Sequence, residues 1–548
     1  MNALNGQKII ISGKIQGEKS GTQISQLKAD GNDIVLHDVD SVKIAQNANK
    51  NTLKGISTNS NWQLNNGIMT ISNDKYLSSD GTNSVELNGG TLNLQNNSAS
   101  KINLAKMELN SNTNVLVDLD FSNKTVDKFA FNSADNVTKQ DVVLNIGSIN
   151  FINADKAKQD KYVIPFVEKS SNSENLIGNV NANISDIMTP IYKYNVSYVE
   201  DSNSGSLVFQ TPHGKDSYKS YNPSVMSEPV AAQAGGYFNQ LASYDTSFGY
   251  MDAMMNLTSM DRLSLFNRNK YASISPDDTF MYSPNLLAEN YGGLWLKPYT
   301  TFEKVDLKGG AKINNIGYGT FAGGDTDIID LKKGWRAVYS GYVGYNGAHI
   351  THDGISTYQN GGLIGLSGTF YKNNYFAGLT ANVGIGVANT ESMYGKEDFT
   401  MLTSGAALKT GYNFEFKEGR YIIQPSYLMS YSFVNTFDYT NAAGLRISQT
   451  PLHAIQIVPG LKFIMNTKSG WQPYLNCQVT WNALDKSKVT ANDVELPALT
   501  VKPYVQYGAG VSKRFGDRFS GYGQVMIRNG GRTGVALSAG AKWTLGSE

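Results

Sequence analysis

His349, His352 and Asp353 are the nearest the chain comes to a metal-binding spacing, with two imidazoles and a carboxylate in one short run. A metal needs such ligands to converge on one point. In a run of β character, side chains three positions apart point to opposite faces, so the two rings diverge. No Gly-x-Ser-x-Gly or Gly-Asp-Ser-Gly run is present to seat an activated serine. Asp30, Asp33, Asp74 and Asp80 are scattered among Asn and Gly without the nonapeptide period of calcium-binding rolls, and read as solvated turn residues. The single cysteine, Cys477, excludes an internal disulfide and is expected on an apolar strand face as an inert small hydrophobe. These residues call for no metal and no cofactor, and they do not make an enzyme.

Composition turns attention from chemistry to architecture. The 548 residues carry a formal net charge of +1, so no global field favours nucleic acid, anionic lipid or acidic substrates. Charged residues are 17%, low against about 25% in ordinary soluble proteins. Glycine reaches 54 residues and aromatics 11%. No apolar run approaches the roughly 18 residues of a membrane helix, so any crossing of lipid must be made by a closed set of strands. Met1 is not followed by a basic start and an apolar run, and an export segment is expected to lie outside this sequence.

The elements fall into four regions. Residues 1–120 hold short β-patterned runs such as NDIVLHDV, NSVELNGGTLNLQ and TNVLVDLDF, with turns at Gly67 and Gly89. Recurrence at roughly 20 to 25 residues per pair of strands points to a stacked β-solenoid, with a β-sandwich as the competing reading. Residues 121–225 continue with longer strands (DVVLNIGSINFI, KYVIPFVE, KYNVSYVE, SGSLVFQT) that suit a unit capping the array, and end in a linker from His213 to Pro223. Residues 226–270 contain the convincing helix, with Ser227 as N-cap and Pro229 in the first turn. Phe238, Leu241, Phe248, Met251, Met255 and Leu263 form a loose apolar stripe, while Asn239, Asp245, Asp252 and Asp261 occupy other faces. Such a helix suits a polar pore and not lipid.

From residue 285 to 548 the pattern changes to long segments of strict alternation. Along 375–389, Tyr375, Ala377, Leu379, Ala381, Val383, Ile385 and Val387 share one face, and Gly378, Thr380, Asn382, Gly384 and Gly386 the other. Trp471, Leu475, Cys477, Val479 and Trp481 oppose Gln472, Asn476, Gln478, Thr480 and Asn482 in the same way. Alternation alone does not separate a soluble sandwich from a membrane barrel. Length does, since these runs reach the roughly 9 to 11 residues of a tilted bilayer crossing. Tyr421, Phe433, Trp471, Trp481 and Trp543 are placed for interfacial girdles, and Lys409, Lys462, Arg528 and Lys542 for a water-lined interior. Starts near 292, 316, 335, 361, 375, 399, 420, 453, 470, 499, 518 and 533 give about twelve strands, an even number as such barrels require; the second, IGYGTFAGG, is the weakest. The expected fold is all-β: an N-terminal β-solenoid, a pore-threading helix and a C-terminal transmembrane β-barrel of antiparallel strands.

The last strand carries a family resemblance. In GVALSAGAKWTLGSE, Ser538, Gly540, Trp543 and Leu545 fit the closing pattern of the bacterial type V autotransporters, and the order solenoid, helix, barrel is similar to theirs. Two departures stand out: Gly546, Ser547 and Glu548 follow the motif, where members usually stop, and the export signal is missing. The resemblance implies an outer-membrane protein that inserts in lipid and moves its own N-terminal region, adhesive or structural in character, to the cell surface. It also implies assembly by the barrel-assembly machinery with periplasmic chaperones, a monomeric barrel, and no nucleic-acid partner; the passenger's surface ligand is left open. Some relatives cut themselves beside an asparagine of the pore helix; Asn267 and Asn269 are the positions to consider, without specific support. The competing reading is a plain outer-membrane pore joined to an unrelated β-domain.

Overall fold

In the computed structural model the described residues are short strand segments between 8 and 77, then 84–131, 137–138, 141–168, 179–201, 204–225, 233–248 and, with brief interruptions, 292–545. The chain divides into two compact units, Met1–Asn222 and Pro223–Glu548.

In the first unit strands stack in parallel. Asn61–Asn65 pairs with Ser84–Asn93, which pairs with Lys106–Asp120, which pairs with Leu144–Ile152. Parallel in-register stacking sets like residues on like, so Leu64, Leu87 and Leu109 form one fully buried ladder. Each coil thereby covers the apolar stripe of the one before, which a single coil is unable to do for itself. Gly89 and Gly90, with φ of 102° and 86°, bend the middle strand where a side chain would be strained.

The pairing then changes from parallel to antiparallel. Lys161–Glu168, Ser204–Gln210, Lys193–Glu200 and Ile184–Met188 form an antiparallel meander, and only the end of the first pairs in parallel with the array, through Phe129 and Val167. Phe121, Phe151, Tyr162, Tyr194 and Phe209 pack beneath it with ring centroids 5.3 to 6.4 Å apart. Of the linker read from His213 to Pro223, the residues up to Asn222 pack on this sheet. Tyr221 stacks on Tyr192 at 4.9 Å, and Asn222 donates to the Thr189 carbonyl at 2.8 Å.

The second unit is a closed barrel of twelve strands: β1 (Gly293–Lys308), β2 (Lys312–Asp325), β3 (Arg336–His352), β4 (Ile355–Lys372), β5 (Tyr375–Ser392), β6 (Gly395–Tyr412), β7 (Tyr421–Thr436), β8 (Leu452–Met465), β9 (Trp471–Lys486), β10 (Tyr504–Phe515), β11 (Phe519–Gly530) and β12 (Arg532–Thr544). Each is antiparallel to its neighbours, and β1 closes on β12 through Leu294 with Trp543, Thr300 with Leu537 and Val305 with Arg532. On one rim the β7–β8 and β9–β10 connections form a small sheet from Tyr439–Thr440, Arg446–Gln449, Val489–Ala491 and Val494–Glu495.

Burial in this barrel is inverted relative to a soluble protein. Exposed positions carry Leu366, Leu379, Val383, Ile385, Leu475, Val525 and Trp543, whereas buried ones carry Lys297, Glu303, Lys409, Gln456, Lys462, Arg528, Arg532 and Lys542. A soluble monomer rarely leaves an apolar patch beyond a few hundred Å². A wall apolar all round and polar within belongs in a bilayer, where closure satisfies every ladder hydrogen bond. Among the described residues no helix is long and apolar enough to cross a membrane.

Candidate functional site

Inside the barrel lies helix α1, described over residues 233–248. Polar tips tie it to the wall: Tyr244 Oη donates to the Tyr431 carbonyl at 2.8 Å, Tyr237 Oη to Asn482 Oδ1 at 2.8 Å, and Asn382 Nδ2 to Ser243 Oγ at 2.7 Å. Its seat is cut from small residues. A Cβ added to Gly405 would lie 1.9 Å from Tyr244 Oη, and one added to Gly235 would meet the Gln359 side chain at the same distance. The helix therefore approaches β4 to β7, where the wall leaves room for it.

Two end contacts give its direction. Gln233 donates to the carbonyl of Thr450, in the β7–β8 connection, at 3.2 Å. Thirteen residues on, the Thr246 carbonyl accepts from Lys297 Nζ, near the start of β1, at 3.0 Å. The chain enters the lumen at the rim bearing the small sheet and runs toward the rim where the barrel begins and ends.

Of the expected apolar stripe, Phe238, Leu241 and Phe248 are buried in the lumen, and Met251, Met255 and Leu263 lie outside the described residues, as do Asp252 and Asp261. The Arg532 guanidinium sits 4.4 Å above the Phe238 ring. Leu241 and Phe248 share a cavity with Leu428 and Val458. The wall thus meets the stripe with its few inward apolar groups.

Charge in the lumen is paired. Glu303 accepts from Arg532 at 2.5 and 2.8 Å, from Arg528 at 2.9 Å and from Asn315 at 2.8 Å. Arg528 also donates to Gln506 at 2.7 Å and lies 3.9 Å from Asp245 of the helix. Lys542 pairs with Asp325 at 2.8 Å, and Trp295 Nε1 donates to the same carboxylate at 2.8 Å. Opposite the seat, two small cavities meet beside Asp245, Gln506 and Gln524, with Lys409 and Lys462 in their walls.

Sequence reasoning placed Lys409, Lys462, Arg528 and Lys542 inward, and all four are there. It missed Lys297, Glu303, Arg532, Tyr237 and Tyr244. The signal was present for the wall groups, since Trp295, Lys297, Thr301, Glu303 and Val305 are alternate positions of one strand. Tyr237 and Tyr244 are seven apart, two turns of one helix face.

The last strand places its four marked residues on two faces. Ser538 pairs with Tyr299 and Gln524 on the lumen side. A Cβ on Gly540 would fall 2.2 Å from the Tyr522 ring. Trp543 and Leu545 point outward, 56% and 58% exposed, at the barrel's end. His349 stacks on Tyr358 at 4.1 Å while His352 Nδ1 meets the Lys312 carbonyl, and Asp353 is outside the described residues. Among the described residues no group of three His, Cys, Asp or Glu is placed to hold a metal.

A closed barrel, apolar outside and polar within, with a helix along its lumen, defines the class: an outer-membrane β-barrel whose lumen its own chain fills. Residues 294–525 match the family model described as Autotransporter beta-domain. Similar solved structures include the β domain of the Bordetella autotransporter BrkA, with 18% identity over 46% of this chain and 99% of that one and a TM-score of 0.38. The transport unit of the autotransporter AIDA-I from Escherichia coli has 16% identity, coverage of 49% and 94%, and a TM-score of 0.41. The translocator domain of the autotransporter NalP from Neisseria meningitidis has 9% identity, coverage of 47% and 89%, and a TM-score of 0.38. No curated protein matches the chain. Residues 294–525 therefore carry an autotransporter β-domain of the type V secretion kind, a barrel of the outer membrane.

Proposed function

We propose that this barrel carries its own N-terminal β-solenoid across the outer membrane and holds it at the surface, with α1 left in the lumen as the stalk. The observation that carries this reading is the helix hydrogen-bonded inside the barrel, entering from the rim that bears the small sheet. Polypeptide already threads the pore in the sense display requires. Parallel coils supply a driving bias, since each coil that folds outside buries the stripe of the last and opposes return. The passenger's role is adhesive or structural. Ser538, Gly540, Trp543 and Leu545 serve as the signal read by the barrel-assembly machinery, with periplasmic chaperones delivering the chain to a monomeric barrel.

Planar-bilayer conductance tests the stalk. The intact chain should pass small currents, and deletion of residues 226–270 should open a large, stable conductance. Full-size conductance from the intact chain would instead support a plain pore with an unrelated β-domain.

A further inference from the structure

Three carboxyl groups are closed into the solenoid: Asp74, Asp118 and Asp127 are 2%, 0% and 0% exposed. Asp118 and Asp127 face each other across one hairpin, and Asp74 comes from an earlier coil. Asp118 is on the strand Lys106–Asp120, Asp127 follows Thr125–Val126, and Asp74 follows Ile68–Ile71. Asp118 accepts from the backbone N–H of Asn96 at 2.7 Å and of Ser98 at 3.1 Å, and from the Asn150 amide at 2.5 Å. Asp127 accepts from the backbone N–H of Ser100 at 3.1 Å and of Asp118 at 2.7 Å. Asp74 accepts from Asn96 Nδ2 at 2.6 Å, while its buried Oδ2 has no donor among the described groups.

No cation balances the three among the described ion pairs. Lys101 and Lys128, which flank Ser100 and Asp127, both pair with Glu168 in a half-exposed cluster, Lys124 is exposed, and Lys75 lies outside the described residues. The groups facing Asp74 are Asn96, Ser100, Asp118 and Asp127; Asn96 donates to both Asp118 and Asp74, and the Asp118 N–H donates to Asp127, so the three buried carboxyls meet around one point. Two ionised carboxylates have no proton to place between them; one must be protonated for their contact to attract.

We propose that Asp74 and Asp127 share a proton at neutral pH and act as a proton-held clasp joining two coils of the array, so that mild acid tightens this part of the solenoid and alkali loosens it. Burial first, then the Asp118 charge, push Asp74 up to about 6, and burial, then the Asp74 and Asp118 charges, push Asp127 up to about 9. An unfolded aspartate titrates near about 3.9, so above that pH the folded clasp holds protons the open chain has released. Stability from this site is accordingly greatest in acid and falls as pH rises toward the folded values, by up to about tenfold in the opening equilibrium per pH unit for each retained proton.

Hydrogen exchange of the full chain in detergent micelles tests the clasp, because the amides of Asn96, Ser98, Ser100 and Asp118 are the ones that donate to it. Rates in peptides covering residues 94–101 and 117–128, corrected for intrinsic exchange, are compared between about pH 5 and about pH 8.5. Protection should fall at least tenfold on going to the higher pH. In Asp74→Asn, whose amide donates to Asp127 without titrating, the fall should be largely abolished, and Asp120→Asn, at an exposed carboxylate, should keep the native profile. Protection that is flat or rises with pH in the native chain overturns the proposal, as does a native-like slope in Asp74→Asn. If that variant fails to fold, the profile of the native chain decides alone.

Discussion

A carboxylate with no exposed side-chain surface, Glu303, accepts three hydrogen bonds from Arg528 and Arg532, one of which also covers the Phe238 ring of the helix. Removing its charge leaves two guanidinium groups facing each other in a confined lumen, a loss of about 3 kcal/mol or more for a buried pair broken on one side. Glu303→Gln should therefore lower the urea midpoint for barrel unfolding, read by gel mobility of unheated samples, while Glu415→Gln, outside the network, should not. This network was not legible in advance. Glu303 and Arg532 lie 229 residues apart, and only closure of β1 on β12 brings them together. Face assignment was legible, because it needs only the local period of two. It makes Val383→Arg, in mid-β5 and facing lipid, costly by about 2 to 4 kcal/mol, whereas an arginine in hydrated lumen costs little. Asn382 is a poor lumen control, since it bonds Ser243 of the helix; Gln478, beside the open cavity, is the better one. Folding into lipid vesicles should fail for Val383→Arg and proceed for Gln478→Arg, and equal yields would contradict the face assignment.

At the scale of elements, strand starts expected near 292, 335, 375, 420, 453, 470, 518 and 533 fall within a residue of those observed. The weak second segment is a full strand from Lys312, and its weakness has a steric cause. A Cβ on Gly319 would lie 2.6 Å from the Tyr299 ring and one on Gly323 2.3 Å from the Trp295 ring. The glycines that blur the pattern make room for aromatics of β1. The strand placed near 499 begins at Tyr504, because Thr500–Val501 pairs instead with Leu307 and Lys308 at the end of β1. Rim additions of this kind depend on contacts between distant loops, which no local period records. The closing strand yields the next prediction. Gly540→Asp sets a side chain against the Tyr522 ring, and Trp543→Ala removes the outward aromatic at the barrel's end. The double variant should leave no heat-modifiable barrel in outer-membrane fractions while the solenoid still folds; normal barrel levels would refute the assembly role given to this strand.

At the scale of the whole molecule, a β-domain of the autotransporter family, residues 294–525 by the family match, follows in the chain a parallel β-solenoid capped by an antiparallel meander. The first of these is proposed to display the second. The order of parts was legible, because a solenoid, an amphipathic helix and a barrel differ in period; the direction of the helix was not, because it rests on Gln233 and Lys297 meeting partners far away in sequence. That direction sets which part of the chain lies outside. The most direct test is protease shaving of intact cells carrying the exported chain, followed by identification of the released peptides. Display predicts that peptides from residues 1–222 are released while those from α1 and β1 to β12 stay protected until the outer membrane is opened. Peptides from residues 1–222 that appear only after the membrane is opened would contradict it.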